Sequence, residues 1–282
     1  MGWSWFIGES DVQCQGCQGE QFVKAGFDRA KRQVVRCTRC ARRQTERSIS
    51  AFRGYQFPDT IIALAVRWYL RYRLPYADLA ELLAECGIYV DPSTIFDWVQ
   101  HFTPLYQEAA RRHRQRVTDR WSADETYVRI AGHWCYVFRA IDEAGQVIDV
   151  YVSPTRDTAA ALAFLTRAMA GTEVTPYSVT TDRAPIYPPA FAQVLSDVEH
   201  STGKMIQQRI ERDHQHLKGR YRSMRGFQTV QCAQVVCAGH GFMRNLRDGF
   251  YRLGLPTGNP RVRQAPRLVQ AWDDVTRILV AG

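Results

Sequence analysis

Trp121-Ser122-Ala123-Asp124-Glu125-Thr126-Tyr127-Val128 is the stretch on which the fold turns. Aromatic and β-branched residues surround a carboxylate pair, which reads as a strand carrying chemistry. Gly132 marks a turn, and residues 134–141 form a second strand-like run, Trp134-Cys135-Tyr136-Val137-Phe138-Arg139-Ala140-Ile141. Glu143-Ala144-Gly145-Gln146 is a tight turn before a third, Val147-Ile148-Asp149-Val150-Tyr151-Val152. An Ala-rich helix is expected over 157–170, and a fourth strand over 177–181. A helix near 190–195, a short fifth strand around Val198-Glu199-His200 and a long basic helix from about Met205 complete the series. Three antiparallel strands followed by alternating helices and strands predict a mixed α/β sheet. The order β-β-β-α-β-α-β-α is ribonuclease-H-like, and its span is residues 118–250.

Three carboxylates occupy telling places in that order. Asp124 lies within the first strand, Asp182 closes Ser178-Val179-Thr180-Thr181-Asp182, and Glu211 sits on the basic helix, in Ile210-Glu211-Arg212-Asp213-His214. Acids converging from two strands and a helix can hold two Mg²⁺ (or Mn²⁺), which prefer oxygen ligands and stabilise both oxygens of a phosphoryl transfer. Because successive strand side chains alternate, Glu125 is expected to face away from Asp124. His214 and Asp213 are read mainly as helix-surface or pairing groups, and Asp142 and Asp149 as solvated. Residues 200–226 hold seven Lys/Arg against two Asp/Glu, a setting that draws in a phosphate backbone.

Ahead of this core lie two further segments. Residues 10–50 carry Cys14-Gln15-Gly16-Cys17 and, further on, Cys37-Thr38-Arg39-Cys40. Paired Cys-x-x-Cys knuckles flanking two short strands predict a zinc ribbon. Its single Zn²⁺ would be structural, because four thiolates leave no open position. Gly16 is expected to ease the first knuckle's turn. Arg39, Arg42 and Arg43 cluster at the second knuckle, where they can meet phosphates. Residues 55–105 show three helical patterns, with Pro58 at one start and Asp91-Pro92-Ser93-Thr94 at another. This predicts a helix-turn-helix domain whose last helix presents Ser93, Thr94 and Gln100 to DNA. Arg111, Arg112, Arg114, Arg116 and Arg120 read as a helical linker into the core, and residues 251–282 as a tail with a short helix.

Composition narrows the function classes. The chain has 282 residues, a formal charge of +9 and 45% hydrophobic residues, which fit a globular protein with a polyanionic partner. No apolar run is long enough to span a bilayer, and the first residues lack a signal peptide's basic and apolar regions. A cytoplasmic location with reduced thiols is therefore expected. Neither a P-loop nor a nucleophilic-serine elbow is present.

From about Phe52 to Tyr251 the chain resembles the bacterial insertion-sequence transposases of the DDE class, specifically the IS-six family. The motifs that carry the likeness are Phe52-Arg53-Gly54, Ala65-Val66-Arg67-Trp68-Tyr69, Val90-Asp91-Pro92-Ser93-Thr94-Ile95, Asp124-Glu125-Thr126-Tyr127-Val128, Thr181-Asp182-Arg183-Ala184-Pro185-Ile186-Tyr187 and Ile210-Glu211 with Leu217-Lys218. The resemblance implies DNA cleavage and strand transfer with Mg²⁺, acting on terminal inverted repeats and target DNA in a homodimer or larger assembly. It implies that Asp124, Asp182 and Glu211 are the catalytic acids and that Lys218, seven positions after Glu211, contacts phosphate. Two departures stand out: the Asp182-to-Glu211 interval is 29 positions, shorter than in the family, and Gln207-Gln208 replace its Asn pair. A non-catalytic DNA-binding regulator and a hybrid-cutting ribonuclease are the competing readings.

Overall fold

The computed structural model describes residues 14, 16–28, 33–45, 50–202, 214–215, 217–219, 221, 226–254 and 264–281. The chain divides into two compact units, residues 1–59 with 276–282, and residues 60–275.

In the first unit, strands β1 (Phe22–Phe27), β2 (Gln33–Cys37) and β3 (Arg43–Thr45) form an antiparallel sheet in the order β1-β2-β3. The third strand was not apparent in the sequence, because three residues are too few to show an alternation. Further along this unit, the Ala51 N–H donates to the Leu279 carbonyl at 2.9 Å.

The second unit begins with α1 (Asp59–Arg71), α2 (Tyr76–Glu85) and α3 (Pro92–Arg111). Asp91 caps α3 by accepting from the Ser93 N–H at 2.8 Å, and Pro92 takes a first-turn position where no N–H is needed. The helix runs through Pro104, past the end expected from the sequence, and buries Ile95, Trp98, Val99, Phe102 and Tyr106. It stops at Arg111, so the arginine-rich stretch is not a helical linker. Arg114 instead turns inward and donates to the carbonyls of Val147 and Ile148 at 2.8 and 3.1 Å.

The main sheet has five strands in the order β6-β5-β4-β7-β8. They are β4 (Arg120–Ile130), β5 (His133–Asp142), β6 (Val147–Ser153), β7 (Ser178–Thr181) and β8 (Glu199–Thr202). The first three pair antiparallel; β7 and β8 run parallel to β4 and to each other, respectively. Helices α4 (Thr158–Thr172) and α5 (Tyr187–Val194) supply the crossovers. This is the ribonuclease-H-like arrangement, and its strands and the helices α4 and α5 fall close to where the periodicity placed them; the expected basic helix from about Met205 lies largely outside the described residues. Helices α4 and α5 cover one face, where Trp121, Ala123, Phe138 and Ala140 meet Phe164, Leu165, Tyr187 and Phe191. Asp142 is buried rather than solvated; it accepts from the N–H groups of Thr118 at 3.1 Å and Gln146 at 2.8 Å.

Helix α6 (Val230–Asp248) seals the outer edge of β6. An edge strand presents unpaired backbone groups. The Asn245 amide takes both from Val147, accepting from its N–H and donating to its carbonyl at 2.8 Å each. Gln234 accepts from the Val152 N–H and donates to the Val150 carbonyl, also at 2.8 Å. The spacing explains the fit: eleven helical residues span about 16 Å and five strand residues about 17 Å. Gly239 lets α6 approach closely, since a Cβ there would meet Thr103 Cγ2 at 2.6 Å and Leu70 Cδ2 at 2.8 Å. The last helix, α7 (Gln264–Ala281), stacks Trp272 on Tyr106 at 4.0 Å, and its indole N–H donates to the Ala63 carbonyl at 3.1 Å.

Asn245→Leu strands the buried Val147 N–H. It is expected to cost about 1–3 kcal/mol of unfolding free energy, measured as a lower urea midpoint at unchanged slope; an unchanged midpoint would show that water replaces the amide.

Candidate active site

Parallel pairing of β4 with β7 creates the site. Their last matched pair is Ser122 with Thr180, so Asp124 and Asp182 each lie two residues further along neighbouring chains. Asp182 sits just past the end of β7, where it caps the turn by accepting from the Ala184 N–H at 2.9 Å. Oxygen atoms of Asp124, Glu125 and Asp182 all lie within 4.8 Å of one another. Oxygens around a single Mg²⁺ at about 2.1 Å lie no more than about 4.2 Å apart. The cluster therefore fits a hard divalent cation after small side-chain adjustments.

Glu125 corrects the expectation that it points away. The Cβ alternation does hold: Asp124 pairs across β4–β5 with Arg139, while Glu125 pairs with the core residue Phe138. The carboxylates nevertheless converge, because Asp124 bends back to accept from the Glu125 N–H at 2.9 Å. Glu125 is also longer by one methylene. It accepts from the Tyr187 hydroxyl at 2.5 Å and pairs with Arg156, whose guanidinium reaches Asp182 at 3.4 Å. Burial first, and then the Glu125 charge, push the Tyr187 phenol well above its ordinary value, so it remains a donor. Sequence reasoning missed this network. Its signal was Glu125 directly after Asp124 and Tyr187 five residues after Asp182.

On the other face, His214 Nδ1 lies 3.7 Å from Asp124. His214 is buried, against the expectation of a surface group. Burial first, then Arg139 and Lys218, push its imidazole down to about 3, so it is neutral near pH 7. Lys218 is thus close enough to His214 for its charge to be felt there. Arg139 is completely buried, and burial lowers it to about 10, which leaves it charged at pH 7. Glu211 and Asp213 lie outside the described residues.

The four cysteines come together in the first unit. Cys14 and Cys40 sulfurs are 3.4 Å apart, those of Cys17 and Cys37 are 3.6 Å apart, and all four lie within 4.8 Å. Zn–S bonds of about 2.3 Å put tetrahedral sulfurs about 3.8 Å apart, so the cluster has the dimensions of a zinc site. The Gly16 N–H donates to Cys14 Sγ at 3.4 Å, the largest influence in bringing that thiol down to about 6. Gly16 matters by proximity and not by an unusual turn: a Cβ there would meet Arg42 Cδ at 3.1 Å. At the knuckles themselves, the described residues with left-handed backbone are Gln18 and Ala41, each directly after the second cysteine.

Of the expected DNA contacts, Arg39, Arg42 and Arg43 are exposed on this ribbon, and Arg43 is anchored to the Ala25 carbonyl at 2.6 Å. Ser93 is exposed, but its hydroxyl is engaged by Asp91 at 2.6 Å; Thr94 is half-buried. Gln100 is half-buried, and its Nε2 is buried without a hydrogen-bond partner among the described residues.

A ribonuclease-H-like sheet with acids paired on adjacent parallel strands is a scaffold for cutting nucleic acid. Residues 118–249 match the model of the DDE domain, and residues 54–179 match that of the Transposase IS66 family. The transposase for insertion sequence-like element IS431mec of Staphylococcus aureus is 37% identical over 174 residues, 60% of this chain and 77% of the relative. The transposase for insertion sequence element IS257 in transposon Tn4003, also from Staphylococcus aureus, matches at 37% over 174 residues, again 60% of this chain and 77% of the relative. The chain belongs to the insertion-sequence transposases of the DDE class, and is accordingly a DNA transposase, an enzyme that cuts nucleic acid. Among solved structures, the HTLV-2 integrase catalytic core domain overlaps 48% of this chain and 90% of its own at 13% identity and a TM-score of 0.36. The catalytic core domain of BIV integrase overlaps 57% and 98% at 16% identity and a TM-score of 0.34. Both overlaps are distant.

Tyr187→Phe removes the hydroxyl that holds Glu125. The expected loss is about 1–2 kcal/mol of stability, read from urea unfolding monitored by circular dichroism. A variant as stable as the parent would mean that Arg156 alone fixes Glu125.

Proposed function

We propose that this transposase binds the terminal inverted repeats of its own element, cuts the DNA ends and joins 3′-hydroxyls to target DNA. The observation that carries this reading is the approach of Asp124 and Asp182 on adjacent parallel chains, with carboxylate oxygens within 4.8 Å. Asp124, Asp182 and Glu211 would hold two Mg²⁺ (or Mn²⁺), which supply an activated nucleophile and a stabilised leaving oxygen. Asp124 is held in place by the Glu125 N–H, and Asp182 by the Ala184 N–H and Arg156. His214, neutral and buried, packs beside Asp124 without adding a positive charge that would compete with a cation. Lys218 supplies a positive charge for a phosphate near the acids. Glu125, hydrogen-bonded to Tyr187, restrains Arg156 at the rim of the cluster.

DNA recognition falls to the parts before the core. Residues 55–105 form the helix-turn-helix domain of this reading, with the α2–α3 pair as its motif, and Ser93, Thr94 and Gln100 would approach bases only from the start of α3 and its flank. Arg39, Arg42 and Arg43 on a Cys14-Cys17-Cys37-Cys40 zinc ribbon would contact phosphates. Bringing two element ends together calls for a homodimer or larger assembly, acting in the cytoplasm. Among the described residues, no helix is long and apolar enough to cross a membrane.

Asp124→Asn, Asp182→Asn and Glu211→Gln are each expected to reduce Mg²⁺-dependent cleavage and joining of labelled element ends by about 1000-fold or more. DNA affinity should stay within a few-fold. Wild-type protein that bound the ends specifically but yielded no cleaved or joined product would refute the catalytic reading in favour of a regulator.

Purified protein should carry about one Zn²⁺ per chain, measured by elemental analysis. Cys37→Ser should lose it and lower the ribbon's resistance to proteolysis. Retained zinc in that variant would rule out the four-thiolate site.

A further inference from the structure

Beyond the acids, the β4–β5 hairpin carries an exposed aromatic face that the core does not use. The two strands match Glu125 with Phe138, Tyr127 with Tyr136 and Arg129 with Trp134. Opposite side chains, Val128, Ile130 and Cys135, are buried, so the hairpin has one packed face and one open face. On the open face Tyr127 is 53% and Trp134 63% exposed. Their rings meet edge-on at 6.3 Å, Tyr127 also touches Tyr136 at 5.6 Å, and the Arg129 guanidinium lies 5.8 Å from the Trp134 ring centre. Cross-strand aromatic pairing steadies a hairpin, but that needs only ring edges and leaves unexplained why two large rings stay in water.

We propose that this face is a stacking platform for unpaired DNA bases next to the phosphodiester held at the acids. The inference rests on the DNA-cutting function proposed above. Three observations select a nucleic-acid strand as the occupant. First, the aromatic rings offer flat, sequence-tolerant surfaces, and arginine planes extend them. Second, the patch is flanked by cations, with Arg129 at one end and, at the other, Arg156, which pairs with Glu125 two residues before Tyr127. A guanidinium at each end suits a phosphate chain crossing the rings. Third, the platform is in line with the site: Tyr127 is two residues beyond Glu125 on the same face of β4. That is about 7 Å along a strand, or two base steps of about 3.4 Å. A base displaced beside the scissile phosphate would therefore reach Tyr127 first and Trp134 next.

The test uses full-length protein and two versions of an element end, one fully paired and one with two unpaired nucleotides beside the cleavage position, without added divalent cation. 2-Aminopurine replaces an unpaired base. In the wild type its fluorescence should be quenched on binding. Tyr127→Ala with Trp134→Ala should abolish the quench and weaken binding of the unpaired end roughly 5- to 150-fold, the loss of stacking from one base. Binding of the paired end should be unchanged, and Trp134→Phe should keep the quench. Equal weakening on both DNAs, no weakening on either, or conversion of an assembly to monomers by the double variant would overturn the platform; the last would make the face a protein interface. Wild-type protein that cuts element ends yet binds paired and unpaired versions alike, with no quench, sinks the platform and leaves the catalytic reading standing. Failure of the wild type to cut any end in a parallel assay with Mg²⁺ sinks the catalytic reading itself.

Discussion

Three carboxylates within 4.8 Å repel one another, and the structure around them is organised to bear that repulsion. Two unit charges 4 Å apart interact by about 1 kcal/mol in water and about 4 kcal/mol at an effective dielectric of 20. The protein offsets this with groups on both faces of one strand. On the α4–α5 face, Arg156 pairs with Glu125 and Asp182 while Tyr187 donates to Glu125. On the α6 face, buried Arg139 stands opposite Asp124 in register, and Lys218 lies nearby. Backbone N–H groups of Glu125 and Ala184 orient Asp124 and Asp182. These groups lower the pull on an added cation, so what remains to attract one is the uncompensated carboxylate charge and the oxygens left unfilled.

Much of this was legible in the chain. Periodicity of two, broken by Gly132 and Gly145, marked the three antiparallel strands, and the later alternation marked the crossovers. Once that order is known, parallel pairing follows and sets Asp124 beside Asp182. Glu125 was misread for a definable reason. Alternation describes where a Cβ leaves the backbone, whereas a carboxylate ends two or three bonds further on, and near a strand edge that reach crosses the divide. Asp142 was read as solvated, and Arg114 as part of a helical linker, for a similar reason: charge suggests exposure until a buried backbone group is found to need a partner. Arg114 answers the Val147 and Ile148 carbonyls, and Asp142 the Thr118 and Gln146 N–H groups. Nor can any local pattern show that Asn245 and Gln234 match an edge strand from a helix some hundred residues later. That match depends on two rises coinciding over about 16 Å.

The ribbon shows the opposite balance. Cys-x-x-Cys spacing fixes each half-site by chain geometry alone, so four sulfurs were foreseeable before any fold was known. The surroundings were not. Gln18 and Ala41 adopt the left-handed turn, and Gly16 makes room for Arg42. The constraint therefore falls on different residues from those that a search for turn-forming glycines selects.

Strand lengths connect the site to the rest of the molecule. β7 has four residues and β4 eleven, so pairing with β7 ends at Ser122 while β4 continues to Ile130. The acids consequently lie where the parallel part of the sheet stops and the β4–β5 ribbon runs on. Phe227 meets Ile130 at the outer end of β4, and Tyr221 donates to the Tyr127 carbonyl at 2.9 Å, so that ribbon is supported while Tyr127 and Trp134 stay exposed among the described residues. A shorter hairpin could hold the same acids but would give up the buried Val128, Ile130 and Cys135. The extra length places Tyr127 and Trp134 beyond them, on the face that Glu125 shares. The discontinuity that exposes the acids thus also projects an aromatic surface past them.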